Sequence, residues 1–374
     1  MTAPVYLDYN ATAKVRPLAA AAVADALAEG GNPSSVHAAG RAARATVEAA
    51  RRAVAALVGA APETVTFTGG GTEANALAIR SAAADGARRI LVSATEHDCV
   101  RAEAEATGLP VEIWPVDAHG LADLRWLSER VAADGRPLVC MMLANNETGV
   151  AQPMVDVGTI TGEAGGWLHV DAVQAAGKIE IDFESMWARS LAISAHKLGG
   201  PQGVGALISE GPLTPQFHGG GQERGRRPGT ENVPGIAGFG AAALAAVRDM
   251  AALTGQSAWR DALAARIVEL GGVVLGDGAE RLPQTLCVAT PGFASELQVM
   301  ALDLAGVMIS AGAACSSGKV KASRVVEAMG RPDLAPFAVR ISGGWATTRD
   351  DWRRCGEAWI EARHRQSKRI REFA

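Results

Sequence analysis

The chain has 374 residues, 48% of them hydrophobic and 20% charged, with a formal net charge of −4. That length supports a large core and two domains. The charge balance offers no general attraction to nucleic acid or anionic lipid, and the N-terminus lacks the basic-then-apolar pattern of a signal peptide.

Taken in order, Tyr6 to Ala13 reads as a short extended segment and turn. A helix pattern follows Gly30-Gly31-Asn32-Pro33-Ser34-Ser35. Val36, Ala43, Val47, Ala50, Val54 and Leu57 recur at three- and four-residue steps, with Ser34 or Ser35 as the expected N-cap and Gly59 as the stop. Strands and helices then alternate. Val65–Thr68 is a predicted strand, Gly69-Gly70-Gly71 a turn, and Thr72–Ala84 a helix. Ile90–Ser93, Leu138–Ala144, Trp167–Val170 and Leu191–Ser194 are further strands. Continuous apolar strands between helices imply a parallel sheet covered on both faces.

Thr72, His97, Asn146, Asp171 and Lys197 each follow a different strand. In an open α/β sheet the crevice beyond the strand ends is where ligands bind, so these five residues are expected to converge there. The low-charge run Val233 to Val247, rich in Gly and Ala, is shorter than a membrane span and reads as a close-packed helix. A long Gly-rich basic loop covers 212–232. Beyond Gly255 a second region is expected, with helix 256–270, strands near 273–275 and 285–289, helix 295–304, strand 307–310, a helix to Met329, strand 337–342 and helix 348–371. Its basic end, from Arg363 to Arg371, suits the negative pole of a helix dipole.

Each polar group has a chemical and a plain reading. Gly69-Gly70-Gly71-Thr72 between strand and helix is an anion site or a capped turn; it is neither GxGxxG nor a Walker loop. Asp171 either pairs with a protonated ring nitrogen or caps a helix. Lys197, followed by Leu198-Gly199-Gly200, is a Schiff-base candidate if its pKa is depressed, and otherwise a surface lysine. The five cysteines are Cys99, Cys140, Cys287, Cys315 and Cys355. They are scattered and lack CxxC spacing, which argues against a disulfide framework and for a reducing cytoplasm. Cys140 and Cys287 sit in apolar strands and Cys355 in a helix. Cys315, in Ala311-Gly312-Ala313-Ala314-Cys315-Ser316-Ser317-Gly318, lies in a loop of small residues suited to a reactive thiol, and Cys99 is its one rival.

Asp171-x-x-Gln174 followed by Ser194-x-His196-Lys197 resembles the pyridoxal phosphate site of fold-type I enzymes. Tyr6-Leu7-Asp8-Tyr9-Asn10-Ala11-Thr12, Gly31-Asn32-Pro33-Ser34-Ser35-x-His37, Thr72-Glu73, Glu96-His97, Asn145-Asn146-Glu147-x-Gly149, His218-Gly219-Gly220-Gly221-Gln222-Glu223-Arg224-Gly225, Arg227-x-Gly229-Thr230 and Gly312-x-Ala314-Cys315 narrow the likeness to the cysteine desulfurase family, in register along almost the whole chain. The resemblance implies a mostly parallel seven-stranded sheet flanked by helices and a smaller α+β C-terminal domain, with 16–252 as the large domain and 1–15 plus 253–374 as the small one.

It also implies roles. Lys197 would hold pyridoxal 5′-phosphate covalently, Asp171 would keep its ring nitrogen protonated, and Gln174 would bond its phenolic oxygen. His97 would stack on the ring and move protons. Gly71, Thr72, Ser194 and His196 would bind the phosphate, joined by Thr230 from the other subunit of a homodimer. Asn146 would sit near the ring oxygen and the incoming substrate. Arg340, with Asn146 and Asn32, would bind the substrate L-cysteine, and Cys315 would take its sulfur as a persulfide for an acceptor or iron–sulfur scaffold protein. No intrinsic metal is expected, although Cys315 could transiently ligate an iron–sulfur cluster. A selenocysteine lyase, an aminotransferase and a regulator with a vestigial site are the alternatives that the sequence leaves open.

Overall fold

The structure is a computed structural model that describes residues 3–132, 136–312 and 322–373. Its thirteen strands among the described residues are β1 (Val5–Tyr6), β2 (Val65–Thr68), β3 (Ile90–Ser93), β4 (Val111–Trp114), β5 (Leu138–Met142), β6 (Trp167–Asp171), β7 (Ser190–Ser194), β8 (Gly205–Ser209), β9 (Val273–Val274), β10 (Thr285–Ala289), β11 (Val307–Met308), β12 (Ser310–Ala311) and β13 (Ala338–Ser342). Strands β2 to β8 form one seven-stranded sheet in the order β2-β8-β7-β6-β5-β3-β4. Only β8 runs against its neighbours, because a short connection returns it directly alongside β7. Every residue of β2, β3, β5, β6, β7 and β8 is buried, as continuous apolar strands covered on both faces require.

The smaller sheet is antiparallel, in the order β12-β13-β10-β9, and packs on helices Gln256–Glu269, Ser295–Leu304 and Arg349–Phe373. Its core is centred on Leu286, Val288, Ile341, Trp352 and Trp359. The N-terminal segment belongs to this part of the molecule. β1 pairs with β11, and Asp8 bridges to Ser342 at the end of β13. The chain then crosses to the large sheet, where Ala13 donates its N–H to the His196 carbonyl at 2.8 Å.

Several expectations shift in the structure. The second helix spans Ala38–Leu57 and its N-cap is His37, not Ser34 or Ser35; the His37 ring accepts the N–H of Gly40 at 3.3 Å. Val36 therefore precedes the helix and is 87% exposed. The apolar run after Asn232 extends further than expected, as helix Val233–Thr254 of 22 residues. By length and composition it could cross a membrane. It is packed against helices Pro17–Glu29 and Ala38–Leu57, with Phe239, Ala242, Ala243 and Ala246 buried. A side chain on Gly240 would come 2.7 Å from the Ala50 backbone, so glycine is what lets those helices approach. The strand expected at 307–310 is two short pieces, β11 and β12, and the helix before Met329 is confined to Arg324–Ala328. Strand β8, strand β4 and helices Pro17–Glu29, Leu124–Val131 and Met154–Glu163 have no counterpart in the sequence reading.

The Gly-rich loop is tied down by a buried ion pair. Arg51, on the second helix, donates to both Glu223 oxygens at 2.8 Å, and Glu223 also accepts the N–H of Phe67 at 2.9 Å. Glu223 and Arg224 take left-handed φ values of 46° and 59°, a strain held in place by that bidentate anchor. Truncating one partner leaves a buried charge uncompensated. Glu223→Ala should therefore lower the unfolding free energy by about 3–5 kcal/mol. Urea unfolding checks this, and a loss under about 1 kcal/mol would assign the anchor to the surface class instead.

Candidate active site

A cavity of about 360 Å³ opens where the large sheet's strands end and the N-terminal segment crosses over. Gly71 and Thr72 follow β2, His97 follows β3, Asn146 follows β5, Asp171 ends β6, and Ser194, His196 and Lys197 lie at the end of β7; all of them line it. Gln174 and Arg340 also face this cavity. The convergence expected from the alternating pattern is thus present, and strand order explains it, because β2, β3, β5, β6 and β7 point the same way.

Lys197 Nζ donates to the carbonyls of Asn10 at 2.7 Å and Ala11 at 2.9 Å. Burial and the nearby Arg340 cation lower its pKa from 10.5 to about 8, against the opposing pull of Asp171 and Asp8. An amine held near neutrality can attack a carbonyl. Asp171 is 6% exposed. Its oxygens accept from Val173 N at 2.9 Å and Asn75 Nδ2 at 2.8 Å. Burial pushes this carboxyl's pKa up; those two donors, then the His97 and Lys197 charges, pull it back.

His97 caps helix Asp98–Ala106, accepting from Cys99 N at 3.2 Å. Crowding by protein atoms lowers the basicity of its ring, Asp171 opposes this, and the Lys197 and Arg324 cations add to it. His196 meets Thr12 Oγ1 at 3.1 Å, and burial beside Lys197 and Lys178 brings its pKa to about 4, so it faces the cavity as a neutral ring. The side chain of Gln174 is fixed at both ends. Its amide nitrogen donates to Asn10 O at 2.9 Å, and its oxygen accepts from Lys178 Nζ at 2.7 Å.

Arg340 Nη2 donates to Asp8 Oδ1 at 2.6 Å and Nη1 to the Asn146 carbonyl at 3.1 Å, while its buried Nε has no partner. The guanidinium is thus oriented at the cavity wall with N–H groups left over beyond these two bonds. Gly71 leaves a cradle that a side chain would fill, since a Cβ there would lie 2.7 Å from Val173 Cγ2. Beside it the N-terminus of helix Gly71–Ala84 presents backbone N–H groups and a positive dipole end, flanked by Thr72, Ser194 and His196. An anion seat at one end, a buried carboxylate at the other and a near-neutral lysine between them match the donor set that a phosphorylated pyridine aldehyde requires.

Two expected residues lie elsewhere. Thr230 is exposed and is not part of this chain's own cavity lining. Asn32 is exposed too, and its side chain accepts Ser34 N at 2.9 Å within its own turn. Cys315 lies outside the described residues; Gly312, the last described residue before it, lines the cavity. The neighbouring Glu147 is buried. It accepts from Ser323 Oγ at 2.6 Å, and its Oε2 would sit 2.3 Å from a Cβ on Gly312. Cys140, Cys287 and Cys355 are fully buried, in keeping with the apolar packing expected of them. Cys99 is half-buried with Sγ 3.1 Å from His97 Nδ1, but burial beside Asp171 pushes its thiol up to about 11. It stays protonated at neutral pH and makes a poor nucleophile. No group of metal-ligating side chains occurs among the described residues.

The sequence reading missed Asn10, Asn75 and Lys178. Asn75 falls one helical turn after Thr72, a spacing that places both near the helix N-terminus. Lys178 is four residues after Gln174, but the chain there is not helical, so spacing gave no signal.

Comparison with known proteins adds the following. The family model for aminotransferase class-V matches residues 5–354. A cysteine desulfurase of Cereibacter sphaeroides is 44% identical over 361 residues, 92% of each chain. The solved structure of a NifS-like protein from Rickettsia africae superposes with a TM-score of 0.88 at 31% identity, covering 96% of this chain and 99% of that one. The protein SspA, solved in complex with cysteine, superposes with a TM-score of 0.79 at 29% identity, over 90% and 98% of the two chains.

The depressed Lys197 pKa is directly testable. A folded-state pKa near 8 means that the neutral amine predominates above that pH and is lost as pH falls through it. In cofactor-free protein, borohydride trapping of an aromatic aldehyde on Lys197, followed by peptide mass spectrometry, should be half-maximal near pH 8. A midpoint near 10.5 would show an ordinary, solvated lysine.

Proposed function

The chain belongs to the class-V aminotransferase family and, within it, to the cysteine desulfurases; we propose that it binds pyridoxal 5′-phosphate in the Lys197 cavity and converts L-cysteine to L-alanine, collecting the sulfur on Cys315. The observation that carries this reading is the alignment of Lys197, Asp171 and Arg340 around one cavity. Lys197 would hold the cofactor covalently and Asp171 would sit against its ring nitrogen. Gln174, with one amide N–H left over after the bond to Asn10, would donate to its phenolic oxygen. Gly71, Thr72, Ser194 and neutral His196 would seat the phosphate. When bound, the cofactor supplies an electron sink for the carbons of the substrate.

The protein's own residues do the rest. Arg340 takes the substrate carboxylate with the part of its guanidinium that lines the cavity, with Asn146 alongside. Lys197, with its pKa brought to about 8, can accept and return protons near neutral pH, and His97, whose basicity burial lowers, faces the same cavity. The Cys315 thiolate attacks the substrate sulfur. An S–S bond forms on Cys315 and the carbon–sulfur bond breaks. The electron pair stays with the carbon, which is protonated to become the methyl group of alanine. The persulfide then passes to an acceptor protein, in our reading for iron–sulfur cluster assembly. That chemistry belongs in a reducing cytoplasm, where Cys315 remains a thiol. Thr230, exposed and outside its own cavity, would act in the site of the second subunit of a homodimer.

Alanine and sulfide released from cysteine, measured with a reductant present, test the assignment. Cys315→Ala should lower alanine turnover about a hundredfold or more while leaving the cysteine-induced change in the visible spectrum. Arg340→Lys should raise KM about 10- to 100-fold with kcat little changed, because a lysine cannot reproduce the planar donor fork. Unchanged alanine turnover in Cys315→Ala would rule out the persulfide route.

A further inference from the structure

Behind Asp171 lies an unbroken line of buried hydrogen bonds. Trp167 Nε1 donates to Ser190 Oγ at 2.9 Å, and Ser190 Oγ meets His169 Nδ1 at 2.8 Å. His169 Nε2 meets Asn75 Oδ1 at 2.9 Å, and Asn75 Nδ2 donates to Asp171 Oδ2 at 2.8 Å. Ser190 and His169 are 0% exposed, Asn75 1% and Trp167 4%, so water cannot replace any link.

The ends of this line set its direction. An indole N–H can only donate, so the Ser190 oxygen accepts and its own proton is free to go to His169 Nδ1. His169 then carries its proton on Nε2 and gives it to Asn75 Oδ1, which turns the Asn75 amide N–H toward Asp171. An ionised carboxylate, which can only accept, completes the sequence without a leftover donor. A proton placed on Asp171 Oδ2, the oxygen that faces Asn75, would reverse the line, flipping Asn75 and switching the histidine tautomer. The Ser190 proton would then be left buried and unpaired, at a cost of about 1–3 kcal/mol. Burial drives the His169 pKa down to about 3, which keeps this ring neutral and the polarity intact at working pH.

We propose that Trp167, Ser190, His169 and Asn75 form a one-way hydrogen-bond relay that holds Asp171 as an oriented, unprotonated carboxylate, making Asn75 and His169 positioning residues for the ring nitrogen of the cofactor. The proposal rests on the reading that Asp171 faces that nitrogen. The relay answers a local problem. Asp171 lies near the buried Glu96 and Cys140 and the half-buried Cys99, none of which helps it to ionise. The groups whose charge favours its ionisation, His97 and Lys197, line the open cavity. The relay supplies a fixed donor from the buried protein interior.

The test uses the full-length holoenzyme with three readouts: the pH midpoint of the visible absorbance band, the Kd for pyridoxal 5′-phosphate, and the melting temperature of the cofactor-free protein. Positive charge on the ring nitrogen lowers the basicity of the lysine nitrogen linked to the ring. Asn75→Leu and His169→Phe should therefore move the midpoint up by about one unit and weaken cofactor binding about tenfold, or 1.4 kcal/mol. His169→Gln, which keeps a donor toward Asn75, should return both values most of the way. Ser190→Ala, the mildest break, should move the midpoint in the same direction by less and serves if the larger changes fail to fold. In an Asp171→Asn background, Asn75→Leu should have no further effect on the midpoint. Variants that melt earlier but keep the wild-type midpoint and Kd would overturn the relay and leave a purely structural role. If Asp171→Asn alone leaves the midpoint unchanged, the reading of Asp171 itself fails, a result distinct from failure of the relay.

Discussion

The carbonyl of Asn10 is the junction on which the site depends. It accepts from both Lys197 Nζ and Gln174 Nε2. The Asn10 side chain takes the buried Lys178 amine on Oδ1 and donates to Thr285 Oγ1 and the Asn146 carbonyl, while its backbone N–H reaches Ser342 Oγ. Thr285 and Ser342 belong to the small sheet; Gln174, Lys178 and Lys197 lie in the connections that follow β6 and β7 of the large one. One residue on a segment paired to the small sheet thus sets the position of the reactive amine beyond the large sheet. The register between the two halves of the molecule and the geometry of the site are the same constraint.

Charge is arranged around that junction so that its two lysines are held by carbonyl and amide oxygens. Burial depresses the basicity of Lys197 and Lys178; the Arg340 charge adds to both, and the Lys197 charge to that of Lys178. Asp8 answers Arg340 directly. Asp171 stands apart, held by backbone and amide donors rather than by a contacting cation. This leaves room for a cationic ring nitrogen beside Asp171 and for an incoming carboxylate beside Arg340.

The large sheet and most of the cavity residues were legible in the sequence because parallel strands write themselves as unbroken apolar runs, each ended by polar residues. Thr72, His97, Asn146, Asp171 and Lys197 all fell at such ends. Strand β8 escaped notice because Gly205-Ala206-Leu207-Ile208-Ser209 runs straight on from a glycine-rich stretch that reads as loop. Helix Pro17–Glu29 was hidden by its run of alanines, which shows no clear apolar face, and by an N-cap, Arg16, that makes no side-chain capping bond. Asn10 and Lys178 were illegible for another reason. The side-chain partners of Asn10 lie 136 or more positions away, and Lys178 reaches Asn10 across 168 positions, which no local period records. His37 displaced the expected serine caps because the turn at Asn32 uses its own side chain to hold Ser34.

The central claim is that sulfur leaves cysteine by passing to one particular thiol. The most direct measurement is the mass of the intact holoenzyme, followed by peptide mapping, after brief mixing with cysteine in the absence of reductant. The account predicts a gain of one sulfur atom per chain, located on Cys315, with one alanine formed for each. Alanine formed without added mass on Cys315, or with the sulfur on Cys99 beside His97, would contradict it.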